Sequence, residues 1–297
     1  EYIITLYKLY LCRSDPYLST PTDGNQNNLT DCELLFDRAL DKLCELEKNP
    51  TPLLSYLERF PSQRVGRYFE ILVQYWLEHL TEFEVIASNL QIHKGKRTLG
   101  EIDFLFSHHN QLIHWETAVK YFIQLTPDCD EQEYIGPNAA DNLSFKKARL
   151  FNTQLPRSTR ENLNHELGAL NGIDSIRRQA FFKGWLFYSK PYETNSNCLS
   201  SLNSKHLKGF WIRHGEEGLP EQTKDALWTV LTKPYWLAPP LRLSSDGLLP
   251  RKKFTELLRL HFNTKESPLL VAQVCPSTSG YLETLRGLIV SPQWPNG

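Results

Sequence analysis

This sequence predicts an α/β fold, a mixed β-sheet flanked by helices, with an α+β extension toward the C-terminus. Apolar residues recur at helical spacing over 31–48 and 62–80. Three strand-like runs follow between 83 and 124, and helix and strand patterns then alternate to the end of the chain. Across 297 residues, 40% apolar and 12% aromatic side chains supply a large core and exclude wholesale disorder.

The turn-rich stretch 20–30 precedes a helix over 31–48, with Asp31 as candidate N-cap and Leu34, Leu35, Ala39, Leu43 and Leu46 on one side. The next helix, about 62–80, carries a stripe of Val65, Phe69, Leu72, Trp76 and Leu80. Strands are expected over 83–93, 99–107 and 112–124, the first two joined by a hairpin turn at Gly95. A helix over about 139–154 follows, with Asn138 as candidate N-cap, then a polar helical stretch at 158–180 and a strand at 181–188. The Asn/Ser-rich segment 194–204 marks the internal boundary. Beyond it stand strand candidates HLKGFWIRH and PLLVAQV and an amphipathic helix near 251–262. The expected organisation is an N-terminal helical segment (1–60), a core (61–192) and the C-terminal extension (193–297).

Lys and Arg total 33 against 34 acids, a net charge of −1. That balance argues against a protein that coats nucleic acid non-specifically, while leaving room for a local basic patch. No apolar run is long enough to span a bilayer. Cysteines 12, 32, 44, 129, 198 and 275 are scattered without zinc-type spacing, which predicts buried or free thiols in a reducing compartment, by default the cytoplasm. P-loop, GxSxG and Rossmann fingerprints are absent, so no small-molecule cofactor is expected.

The stretch GEIDFLFSHHNQLIHWETAVK (100–120) is where chemistry shows. In 112–124 the odd positions Ile113, Trp115, Thr117, Val119, Tyr121 and Ile123 form a nearly continuous apolar face, and His114, Glu116 and Lys120 share the other. In the preceding strand Ile102, Phe104 and Phe106 are expected on one face, with Glu101 and Asp103 opposite. If the strands are antiparallel neighbours, acids from both share a face. Clustered carboxylates repel unless a cation joins them, and hard oxygen ligands suit magnesium.

Gly100-Glu101-Ile102-Asp103, about a dozen residues, then an acid and a lysine within an apolar strand resembles the PD-(D/E)XK nuclease superfamily. More narrowly, TLGEIDFLF…HWETAVKYF…YIGPN resembles a bacterial domain-of-unknown-function family placed near those nucleases. The resemblance implies a restriction-endonuclease-like core with a four-stranded mixed sheet, and Mg²⁺- or Mn²⁺-dependent hydrolysis of DNA or RNA. Carried over by position, Asp103 and Glu116 are metal ligands, joined by the backbone carbonyl of Thr117. Lys120 is the water-positioning lysine, and Glu70 the helix acid that supports metal or water. One departure stands out. Glu116 and Lys120 are four residues apart where the superfamily has two, which sets the lysine roughly 13 Å along the strand instead of roughly 7 Å. A bulge at Thr117–Ala118 would restore the geometry; without one, either Lys120 serves a phosphate or the site is weak.

Bland readings compete with these. Glu70 alone reads as a solvated helix glutamate, and Glu101 as a partner of Arg97 or Lys96. His108, His109 and His114 fit no usual zinc spacing. The tip 93–97 reads as a solvated hairpin, and Lys146, Lys147 and Arg149 as a basic helix face. Asn138 and Asp141 read as caps, and Trp228, Tyr235 and Trp236 as core. The alternative to a nuclease is a catalytically weak or inactive nuclease-fold protein, acting as a nucleic-acid-binding or protein-interaction module.

Overall fold

A computed structural model describes residues 32–297, apart from 109, 127–129, 169–172, 174, 190–205, 217, 221–223, 238–240, 243, 279 and 297. The expected cap Asp31 and the 194–204 boundary lie outside the described residues. Helix α1 (Cys32–Lys48) buries Leu35, Ala39, Leu43 and Leu46 as the stripe predicts, but Leu34 is exposed and Phe36 takes its place inside. A short helix that the sequence reading passed over, α2 (Thr51–Glu58), has a proline in its first turn, where the missing N–H costs nothing. Helix α3 (Val65–Tyr75) runs on into a π-helical turn, Trp76–Leu80. Its whole predicted stripe is buried, and Phe69 stacks on Phe181, which in turn stacks on Trp115.

The strands are β1 (Glu84–Lys94), β2 (Arg97–His108), β3 (Gln111–Gln124), β4 (Tyr134–Ile135), β5 (Ser175–Tyr188), β6 (Leu207–Arg213), β7 (Leu227–Val230), β8 (Leu241–Arg242), β9 (Leu269–Ser277) and β10 (Gly280–Val290). They form one ten-stranded sheet of order β1-β2-β3-β5-β6-β10-β9-β7, with β4 on β3 and β8 on β10. That is far wider than the four strands the resemblance implies. The centre, β3-β5-β6-β10, is parallel and both flanks are antiparallel. Strand β6, after the undescribed 190–205 segment, pairs with β5 before it, so strands on both sides of that segment build the same sheet.

Helices cover both faces. Helices α1–α3 pack on one face against Phe104, Trp115, Val119, Phe181 and Leu288. The other face carries three separate apolar patches. Helix α4 (Leu143–Arg149, continued by a π turn to Gln154) packs on Phe122 and Phe182 through Leu143 and Leu150. Helix α5 (Arg160–Leu167) covers Ile102, Leu105 and Leu112 through Leu163, and α6 (Arg251–Phe262) covers Phe210 and Ile289 through Phe254 and Leu258. Burial on both faces is why the central strands read as almost unbroken apolar runs.

Two expected boundaries move. Helix α4 begins at Leu143 with Asn142, not Asn138, as its cap, the Asn142 Oδ1 accepting from the Phe145 N–H at 2.8 Å. Residues 136–139 are instead closed into a turn by the Ala139 N–H on the Gly136 carbonyl. The polar stretch 158–180 is not helical throughout. Helix α5 stops at Gly168, whose φ of 80° suits glycine, and residues 175–180 already belong to β5, where pairing with β3 overrides their polar character.

Candidate active site

The site forms where the sheet splits. Strands β2 and β3 pair from His108–Gln111 to Phe104–Trp115 and then part. The cause is a reversal of faces at Asp103. Phe104 and Phe106 point into the α1–α3 layer, but Ile102 packs with Leu105 and Leu163 on the other side, contrary to the single face expected for Ile102, Phe104 and Phe106. Alongside it in β1, Asn89 has a φ of 53°, left-handed backbone that a non-glycine residue rarely adopts. Arg67 steadies Asn89 through its side-chain oxygen at 3.2 Å.

Beyond the split, the Thr117 N–H has lost its β2 carbonyl. The Asp103 carboxylate replaces it, Oδ2 accepting from the Thr117 amide at 2.7 Å and from its hydroxyl at 3.0 Å. Asp103 is thereby brought close enough to Glu116 to feel its charge: burial first, and then Glu116, push Asp103 up to about 6.

Glu116 is fully buried in the polar seam between the patches under α4 and α5. Its Oε1 meets His114 Nε2 at 2.9 Å and its Oε2 accepts from Gln154 at 2.5 Å. Burial raises its pKa to about 7, against the pull of Arg157 and Lys146. Burial likewise drives His114 down to about 4, so the imidazole is neutral. His114 Nδ1 meets Ser158 Oγ at 2.8 Å. Serine, histidine and glutamate in a row have the connectivity of a hydrolase triad. Ser158 is nevertheless fully buried, and Arg178 occupies its Oγ at 3.0 Å and its carbonyl at 2.7 Å. This row positions Glu116.

Glu70 comes from α3, in the opposite helix layer. It accepts from Arg67 at 3.0 Å, and burial and the Asp103 charge raise its pKa. Among the described residues, no three His, Cys, Asp or Glu side chains are gathered to hold a metal ion as they stand. Asp103 joins Glu116 on one side and feels Glu70 on the other, without the three closing on one point.

A family model described as a domain of unknown function, DUF1853, matches residues 9–290. The chain belongs to the DUF1853 family. No curated protein and no solved structure matches it.

In this DUF1853 chain the bulge at Thr117–Ala118 that would restore the lysine's geometry does not exist: β3 pairs with β5 from Gln111 to Ile123 without a register shift. Hydrogen bonds to a continuous parallel neighbour hold β3 to an unbroken two-residue repeat. Lys120 therefore stays down the strand from Glu116, in an ion pair with Asp141. The ammonium near the carboxylates belongs to Lys146 of α4. Burial lowers its pKa, while Asp103 and Glu116 both act to raise it. Lys146 Nζ donates to Gln154 Oε1 at 3.2 Å, and the same amide donates to Glu116, so one glutamine bridges ammonium and carboxylate. Lys146 and Gln154 lie on the helical stripe of Leu143 and Leu150. A lysine in the middle of an apolar stripe was the available signal for this group. Arg157 completes the site, donating to the Glu101 carbonyl at 3.1 Å from beneath Gly100.

No helix among the described residues is long and apolar enough to cross a membrane. Cys44 and Cys275 are free thiols.

Proposed function

We propose that this protein hydrolyses phosphodiester bonds of DNA or RNA with the help of Mg²⁺ or Mn²⁺, using Asp103, Glu116 and Lys146. The observation that carries this reading is the ammonium of Lys146 in the field of the buried Glu116 and the half-buried Asp103 at a split in the sheet. Burying an unneutralised carboxylate pair costs several kcal/mol (order of magnitude,), and such an arrangement stores instability that a cation relieves.

The donors fit a hard divalent ion in their chemistry. Asp103 commits only Oδ2 to hydrogen bonds with described residues and keeps Oδ1 for a ligand. Glu116 has both oxygens engaged, so it would give up Gln154 to bind, and the Thr117 carbonyl is the third oxygen that the resemblance implies. A divalent ion held there supplies charge that polarises a phosphate and acidifies a water. Lys146 stabilises negative charge growing on the phosphate oxygens. Glu70 holds a proton or orients water from the opposite layer, and the neutral His114 keeps Glu116 in place without competing for the charge.

Single- and double-stranded DNA and RNA, incubated with the protein in Mg²⁺, Mn²⁺ or chelator, test the reading. Metal-dependent cleavage that disappears in Asp103→Ala is expected. Cleavage of none of them, or cleavage that Asp103→Ala retains, removes it.

A further inference from the structure

A cleft of about 410 Å³ opens against Val119–Phe122. This is the part of β3 between its last pair with β2 and its first with β4, so the split that exposes Asp103 continues into the cleft. Tyr121 and Trp236 contribute apolar wall. The charged lining is mostly cationic: Arg64, Lys120 and Lys233 against the single acid Asp141. Lys120 and Asp141 pair with each other. Arg64 and Lys233 are exposed at the rim and have no acidic partner among the described residues; the Lys233 ammonium lies 4.7 Å from the Trp236 ring centroid, which pre-orders it. Lys120 also links the two places, because its charge is felt at Lys146.

We infer that this cleft binds a backbone phosphate of a nucleic-acid strand, next to the phosphate presented to Asp103 and Glu116, with Arg64, Lys120 and Lys233 as its contacts. The identity of the ligand rests on the nuclease reading. In a chain of net charge −1, attraction for a polyanion must come from local excess, and this cleft has two cations without an acidic partner among the described residues and a third paired with Asp141. A guanidinium meets phosphate through parallel N–H donors, and apolar walls accommodate the sugar and base beside it.

The test is binding of a fluorescent single-stranded oligonucleotide in chelator, so that nothing is cut, across a salt series. The double variant Arg64→Ala/Lys233→Ala changes two exposed side chains and leaves the core intact. It should bind several-fold more weakly and lower the slope of log K against log salt by about one for each lost contact. Lys253→Ala, on α6, removes an exposed charge elsewhere and should match the parent. Affinity and slope unchanged in the double variant overturn the inference, as does a parent that binds no oligonucleotide at low salt. Equal competition by a mononucleotide at the same phosphate concentration overturns the strand in favour of a free nucleotide. The two readings fail separately. Cleavage lost in Asp103→Ala with cleft variants binding as the parent does leaves the nuclease and removes the cleft. No cleavage by the parent, with binding lost in the cleft variants, does the reverse.

Discussion

Asp103 and Glu116 face each other across the split between β2 and β3 and are held by different means. Asp103 is fixed by the amide and hydroxyl of Thr117, whereas Glu116 is fixed by the side chains of His114 and Gln154. The first arrangement replaces a missing strand partner and leaves one oxygen open. The second seals a carboxylate inside, with pKa about 7 against about 6 for Asp103. Two acids with displaced pKa values near neutrality can hold different protonation states at one pH.

That difference makes Glu116 a source of pH-dependent stability. With its pKa raised to about 7, the native chain binds the proton more tightly than the unfolded chain does, so stability is lost as pH rises toward and through 7. Asp103 acts in the same direction up to about 6. His114, lowered to about 4, acts oppositely, adding stability as pH rises from there to its ordinary range. Glu116→Gln mimics the protonated acid. It should match the parent near about pH 4 and melt progressively higher than the parent up to about pH 7, where the difference levels off. Thermal unfolding across that range checks it, and a difference that does not change with pH would count against the buried, raised carboxyl.

Asp103→Asn tests the pair without the substrate. The amide oxygen can still accept from Thr117, and the charge facing Glu116 is removed. The metal-free variant should therefore melt higher than the parent. Metal that binds only the native state adds RT ln(1 + [L]/Kd), about 2.7 kcal/mol at a hundredfold excess over Kd. Asp103→Asn should lose most of that shift in Mg²⁺ or Mn²⁺. Melting curves with chelator and with metal read both effects, and a parent that gains nothing from metal removes the ion from Asp103.

The legible parts of this molecule were those with a single period. The stripe of α3 and the apolar face of β3 could be read because each element keeps one face to one core. The reversal at Asp103 was not legible, since Ile102, Phe104 and Phe106 look like one face until Asn89 breaks the alternation beside them. The same break places the predicted acid Asp103 in the plane of the sheet, near the predicted Glu116. Lys120 was visible for its charge inside a strand, but only the β5 ladder shows that no bulge carries it back. His114, Gln154 and Ser158 are ordinary polar residues in sequence, and tertiary placement alone makes them a network.

Gly184 in β5 shows how closely that ladder is packed. Its φ is 151°, and a Cβ there would lie 1.7 Å from the Lys120 carbonyl oxygen. The obstacle is backbone, so no side-chain rotation relieves it. Gly184→Ala must either separate β3 from β5 or distort both, and it should cost at least about 3 kcal/mol. Denaturant unfolding measures it. A loss below about 1 kcal/mol would mean that the two strands have room the structure does not show.

On the proposed nuclease reading, two roles that the resemblance gives to one lysine fall to Lys146 and Lys120, and kinetics can separate them. Lys146 lies beside the carboxylates, so its contact with the phosphate should matter most when charge develops in the transition state. Lys146→Ala should lower kcat by about a hundredfold or more while leaving oligonucleotide affinity in chelator nearly unchanged. Lys120, paired with Asp141 at the cleft, should act on the bound strand throughout. Lys120→Ala should raise KM, weaken binding in chelator and reduce its salt dependence, with a much smaller effect on kcat. Each variant also needs a melting curve, because Lys146 is half-buried and donates to Gln154, so that a fall in kcat counts only if the fold is retained. If Lys120→Ala abolishes turnover and Lys146→Ala spares it, the roles exchange, and the four-residue spacing from Glu116 must then be closed by movement of β3 when the strand binds.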